Sequence, residues 1–193
     1  MNNAIEKMNQ SQKILFAAFK CISSRGYANV SLRDIADEAG VVLSQLNYYY
    51  RNKEGLYKEV IKMMMQKYLL EIENCLQRGA TAKEKTLSLI KYFQEMLNKN
   101  PELFRLLYDF TGMAIWSPPF GELLRNLFKD LSNLIEKYII SDAAIKENLK
   151  TYATKPIARM LFGAMFGTAI QVILDPEEKS LPESLFSIQV LFE

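Results

Sequence analysis

SLRDIADEAGVVLSQLNYYYRNKEGL occupies residues 31–56 and carries much of the chain's structural punctuation. Ser31-Leu32-Arg33-Asp34 has the form of a capping box, with Asp34 where Glu or Gln is more usual. The helix it opens places Leu32, Ile35, Ala36 and Ala39 inward and stops at Gly40, which adopts a turn conformation that a residue with a Cβ resists. Beyond Gly40-Val41 a second short helix is expected over residues 43–49. Val41 and Leu46 anchor it, and small Ala36 lets the two helices approach closely. Short helices joined by so tight a turn follow the helix-turn-helix plan, in which the later helix lies in the DNA major groove.

The outer face of that later helix carries no charge. It presents Leu43, Ser44, Gln45, Asn47, Tyr48 and Tyr49. Gln and Asn can read adenine edges bidentately, while Ser and Tyr can donate to bases or phosphates. Arg33 can reach a guanine or a phosphate. Lys53 stands just beyond the helix, at the positive end of the next one, where a phosphate is attracted. With Ser31, these form the candidate DNA-contacting set. Tyr50 follows Leu46 by four and is expected in the core. A three-helix packing unit with no DNA role is the alternative that spacing alone leaves open.

Outward from this stretch, apolar residues recur with a period near 3.6 and no strict alternation appears, so an all-α fold is expected. A first helix is expected from about residue 11 to 25, stopped by Gly26. Asn52 can cap a long helix from Lys53 to about Leu76, with Leu56, Val60, Met63 and Met64 inward. Further helices are expected at about 82–98, 101–115, 120–140, 155–174 and 182–192, separated by Asn100-Pro101, Ser117-Pro118-Pro119 and Asp175-Pro176. Residues 78–81 are a candidate junction. Functionally, residues 1–52 are assigned to DNA binding and residues 53–193, beginning with the long connecting helix, to effector binding and dimerisation.

The order and spacing of residues 11–58 closely resemble the TetR family of bacterial transcriptional regulators. The carrying residues are Ile14-Leu15-x-Ala17-Ala18, Gly26-Tyr27, Ser31 to Ala36, Ala39-Gly40-Val41 and Tyr48 to Leu56, about a quarter of the chain. The resemblance implies an N-terminal DNA-binding domain, a divergent C-terminal effector domain, a homodimer on a palindromic operator, and repression relieved by a small ligand. It places DNA contacts at Arg33, Leu43, Ser44, Gln45, Asn47, Tyr48, Tyr49 and Lys53. Many members carry Ser-Lys-Gly-Thr after Gly-Val, where this chain has Val42-Leu43-Ser44-Gln45, and Asn47 replaces a frequent Tyr. The docking mode survives these departures, but the operator sequence does not follow from them.

Composition excludes much else. The 193 residues hold no histidine, which removes Ser-His-Asp and Cys-His nucleophile pairs and His-ligated zinc. Cys21 and Cys75 are the only cysteines and are expected as reduced thiols. No metal and no cofactor are expected, and an enzymatic role has nothing beyond scattered carboxylates and tyrosines to rest on. The first residues lack a signal-peptide apolar region, so a cytoplasmic protein is expected. The most apolar stretch, residues 160–174, is 15 long against the roughly 20 needed to span a bilayer, and a buried helix is expected there. Net charge is +2 and lies wholly within residues 1–60, so DNA affinity must come from placed contacts doubled by dimerisation.

In the C-terminal part, Gly163 and Gly167 have a small-xxx-small spacing suited to close helix approach. With Ile170, Leu185 and Ile188 they are expected in a dimer interface, helped by Leu191 and Phe192, and packing within one chain is the alternative. Aromatic and Met-rich segments point to a hydrophobic or amphipathic effector held by Phe104, Tyr108, Met113, Trp116, Phe162, Met165 and Phe166, with Tyr108, Trp116 and Gln171 supplying polarity. A regulator without an effector, acting through a protein partner, would instead show a packed C-terminal core.

Overall fold

A computed structural model describes residues 9–142 and 152–192, and within 189–192 the backbone only. Among the described residues every regular element is helical. The order is α1 (Gln10–Arg25), α2 (Leu32–Ala39), α3 (Leu43–Tyr49), α4 (Lys53–Gln77), α5 (Ala82–Lys99), α6 (Pro101–Trp116), α7 (Pro118–Ile135), α8 (Thr154–Leu174) and α9 (Ser180–Glu183). A π turn, Glu136–Ile140, prolongs α7, and a 3-10 segment, Ser184–Phe192, follows α9.

The caps explain the boundaries. Ser31 Oγ accepts from the Asp34 amide at 3.1 Å while the Asp34 carboxylate accepts from the Ser31 amide at 2.7 Å. The same reciprocal arrangement at Thr81 and Glu84 starts α5. Asn52 Oδ1 accepts from the Gly55 amide at 2.7 Å and starts α4. Gly40 ends α2 at φ 67°. Its amide donates to Asp37 O and that of Val41 to Ala36 O, closing the helix end in a left-handed cap. Pro101 and Pro118 occupy first turns, where the missing N–H costs nothing.

The largest core cluster runs through α1, α2, α3, the first half of α4, and α6 and α7. Leu46 and Ala36 are buried in it, as the helix-turn-helix pattern requires. Tyr57 lies at its centre, fully buried against Phe110 and Phe120 and stacked on Tyr27 at 4.6 Å. A second cluster joins the far half of α4 to α5, the π turn, α8 and Leu185. The long α4 therefore belongs to both. Met63, expected inward, is only half-buried, and Tyr57 and Ile61 take the inward positions beside it. Tyr50 packs against the core edge and hydrogen-bonds Ser11 at 2.7 Å.

Two expectations are corrected. The final segment is not a regular α-helix. It closes as a 3-10 turn series in which Leu185 and Ile188, three apart, fall on one line against the second cluster. The side chains of Leu191 and Phe192 lie outside the described residues. The helix expected over residues 155–174 forms, but its apolar stretch 160–174 is not buried throughout. In α8, 21 residues long, the most apolar 18-residue stretch has mean hydropathy 1.7 and only a third of it is buried. By length and composition α8 is able to cross a membrane, and much of its apolar surface faces outward: Met160 is 61% exposed.

Candidate nucleic-acid interface and effector cavity

The surface of α3 is built on one buried anchor. Leu46 is enclosed by the core, which turns Ser44, Asn47, Tyr48 and Tyr49 outward and leaves Leu43 and Gln45 half-buried at the flanks. Tyr48 is 82% exposed, its ring meeting that of Tyr49 edge-on at 5.3 Å. Arg33, on α2, is exposed, and no ion pair holds it among the described residues. Neighbouring cations are engaged: Lys20 with Glu38 at 2.5 Å and Arg25 with Asp34 at 3.6 Å. Arg33 and Arg51 are both exposed and in no ion pair among the described residues. Arg51 was not singled out from the sequence, although its place directly after α3 was a usable signal.

Two members of the expected contact set have other duties. The Ser31 hydroxyl gives its only proton to the Asp34 carboxylate, so it has none for a phosphate. These hydrogen bonds from Ser31 hold the Asp34 carboxyl below its ordinary pKa. Lys53 turns inward, donating to Tyr27 O and lying over the Tyr27 ring at 4.1 Å. Burial lowers its pKa, while Asp109 and Asp34 pull it the other way.

Behind this unit lies an apolar cavity of about 120 Å³, partly open to solvent. Its walls come from five helices: Met64, Met65, Tyr68 and Ile72 of α4, Tyr92, Phe93 and Met96 of α5, Leu103, Phe104, Leu107 and Phe110 of α6, Leu127 and Leu131 of α7, and Phe162, Met165 and Phe166 of α8. The lining is almost wholly apolar. The Tyr92 hydroxyl donates to Glu71 at 2.7 Å, and burial followed by that carboxylate raises its pKa.

Of the seven residues expected to hold an effector, Phe104, Phe162, Met165 and Phe166 meet at this cavity. Tyr108 does not, because its hydroxyl is spent on Phe166 O. Met113 packs into the first core cluster, and Trp116, at the end of α6, is 87% exposed. Gln171 is exposed and hydrogen-bonds Gly167 O within its own helix. The contributions of α4 and α5 were missed: Met and Tyr at helical spacing read only as core until another helix stands away from them.

One helix touches both regions. The inner face of α6 walls the cavity, while Asp109 on another face accepts from the Tyr27 amide at 2.6 Å. Gly26, at φ 81°, makes the bend that presents this amide, and a side chain is strained there. The Lys53 ammonium on the Tyr27 carbonyl completes the clasp between the start of α4, the loop after α1, and α6.

At the expected dimer surface, Gly163 and Gly167 face open space: a Cβ built on either would meet nothing within 4 Å. Ile170 is half-buried. Leu185 and Ile188, in contrast, pack within the chain against the second cluster. Among the described residues no group of three or more His, Cys, Asp or Glu is placed to hold a metal ion.

Residues 14–60 match the family model for bacterial regulatory proteins of the tetR family. The chain is 28% identical over 181 residues to the HTH-type transcriptional regulator PksA of Bacillus subtilis strain 168, covering 91% of this chain and 84% of that one. It is 25% identical over 177 residues to the nicotine-responsive transcriptional repressor HdnoR of Paenarthrobacter nicotinovorans, covering 90% and 89%. Among solved structures, the transcriptional regulator FadR from Bacillus subtilis in complex with stearoyl-CoA superposes with a TM-score of 0.73 at 21% identity, covering 94% and 96%, a likeness of fold. With its capped α2, its Gly40 turn and its outward-facing α3, the chain belongs to the TetR family and is a transcriptional regulator.

Proposed function

We propose that this protein is a ligand-responsive repressor that binds a palindromic operator as a homodimer and is released by a hydrophobic or amphipathic small molecule. The observation that carries the reading is the apolar cavity walled by α6, the same helix whose Asp109 clasps the loop after α1. A ligand that fits the cavity differently in two positions of α6 biases the placement of α1 to α3, and only such differential binding shifts an equilibrium. The similar HdnoR is named for its response to nicotine, and the FadR structure holds stearoyl-CoA; both are small molecules with a sizeable apolar part. The cavity also favours this reading over a regulator without an effector.

DNA contact falls to Arg33, Leu43, Ser44, Gln45, Asn47, Tyr48 and Tyr49, with Arg51 on a phosphate. Residues 1–52 serve as the reader and 53–193 as sensor and dimer contact, in the cytoplasm where the DNA lies. The outward apolar side of α8, with Met160, Gly163 and Gly167, is the surface for a second subunit.

The test uses hexadecanol as an apolar probe. It raises the melting temperature of the wild-type protein and weakens operator binding, and Met96→Trp, which fills the cavity, loses both responses while still binding DNA. No melting shift with any apolar probe, in a protein that binds DNA, overturns the effector assignment. Asp109→Ala separates binding from response. It keeps the melting shift but loses the coupling, worth about 1–3 kcal/mol or roughly 5- to 150-fold in DNA affinity. An unchanged ligand-induced release in this variant excludes the clasp as the route.

A further inference from the structure

Val42 stands at the N-cap of α3, with φ −75° and ψ 148°, and makes no side-chain cap hydrogen bond. The other helices of the N-terminal unit are each capped by a side chain: Asn9 for α1, Ser31 for α2 and Asn52 for α4. Asn, Ser and Thr accept a hydrogen bond at this position that valine cannot, and forgoing it destabilises a helix start. Threonine has nearly the shape of valine and takes the same extended backbone, so backbone preference does not explain the aliphatic residue. Burial does not explain it either. Val42 is 66% exposed, and no other large aliphatic side chain of residues 9–52 is exposed.

Beside it the half-buried Leu43 adds a second aliphatic side chain at the same end of α3. In a helix-turn-helix the residues at the start of the later helix contact base edges in the major groove. What a base edge offers an aliphatic group there is narrow. Of the four bases only thymine presents a methyl; the rest of each edge is donors and acceptors, which valine or leucine would bury unpaired. The polar neighbours agree. Gln45 lies three residues beyond Val42 and Asn47 four beyond Leu43, so each amide shares a side of the helix with an aliphatic group. Amides of this kind suit adenine, the partner of thymine. α3 carries neither Arg nor Lys, the side chains that most often read guanine.

We propose that Val42 and Leu43 read thymine 5-methyl groups, so that each operator half-site places A·T pairs under the start of α3. Val42 is thereby a specificity-determining residue, one at which a helix cap is given up for an apolar contact to a base. The proposal rests on α3 being the helix that reads the operator.

The test starts from a duplex that the full-length wild-type protein selects from a random pool. Each thymine is then replaced, symmetrically in both half-sites, by deoxyuridine, which lacks only the 5-methyl group, and affinity is read by fluorescence anisotropy at fixed salt. At one or two positions per half-site the replacement weakens wild-type binding by about 15-fold, or about fourfold for each methyl taken out of an apolar contact. Val42→Ser removes the aliphatic group and restores a cap, so its melting temperature equals or exceeds that of the wild type. At the position Val42 reads, this variant binds the thymine and deoxyuridine duplexes alike. Leu43→Ala does the same at the neighbouring position. Deoxyuridine without effect at any position overturns the methyl contact. So does an effect that stays undiminished in both variants, the two duplexes being weakened equally as a purely structural role requires. In either case a changed sequence preference in Asn47→Ala leaves α3 as the reader; if that preference is also unchanged, the reading on which the proposal rests falls with it.

Discussion

Asn47→Ala and Tyr48→Ala each reduce operator affinity by about 30-fold or more, without loss of stability. A good bidentate base contact is worth about 1–3 kcal/mol, and a dimer on a two-fold site loses it twice, so about 2–6 kcal/mol is removed per substitution of that kind. Asn47 and Tyr48 are exposed, and the buried Leu46 just before them holds α3 in place without them. Truncating exposed side chains of this kind changes stability by only about 0.5 kcal/mol. The measurement is fluorescence anisotropy at fixed salt, on a duplex first selected by the wild-type protein from a random pool. Arg33→Ala or Arg51→Ala provides the contrast if that arginine serves a phosphate: affinity falls on every duplex alike, and the slope of log affinity against log salt becomes shallower. Should Asn47→Ala and Tyr48→Ala leave both affinity and sequence preference untouched, α3 does not read the operator.

Tyr57→Ala lowers folding stability by about 3–5 kcal/mol, the range for removing a large buried aromatic. The ring is fully buried and meets Tyr27, Phe110 and Phe120, so its loss leaves a void where α4, α6, α7 and the loop after α1 converge. Tyr57→Phe keeps the ring and drops only a long hydrogen bond, 3.5 Å from the hydroxyl to Leu106 O, so its cost stays near or below about 1 kcal/mol. Burial raises the hydroxyl's pKa, and the group stays neutral throughout the working range. Denaturant unfolding monitored by helical circular dichroism separates the two variants. Equal, small losses for both would mean that the surrounding helices collapse to fill the space, and the junction is then softer than its packing implies. On the proposed ligand-released mechanism, Tyr57 lies between the DNA-binding unit and the cavity, so Tyr57→Ala also makes DNA binding less responsive to ligand.

These results rest on features that differ in how visible they are in a sequence. The helix starts at Ser31 and Asn52 were legible because a cap is local: donor, acceptor and the backbone they satisfy lie within four residues. Gly40 was legible for a similar reason, since a left-handed residue between two short apolar-faced helices has few other uses. The face of α3 followed from Leu46 and the helical period. The engagement of Lys53 was not legible in the same way. Lys53 looked free at a helix start until the Tyr27 ring and carbonyl, 26 residues earlier, were folded against it.

The C-terminal part was harder to read. Phe104, Phe162, Met165 and Phe166 were picked out by type, but the same criterion selected Trp116, which points to solvent, and Tyr108, whose hydroxyl is occupied. Apolar periodicity says that a face turns inward. It does not say whether the facing helices meet or stand apart.

The sequence by itself determined the all-α class, the limits of most helices, and the helix-turn-helix with the outward residues of α3, because caps, turns and a 3.6-residue period act over one or two helical turns. Tertiary structure alone decided where the cavity lies and that Asp109 clasps the Tyr27 amide. Each of those depends on distances between residues far apart in the chain, which only the packing of α4 to α8 sets.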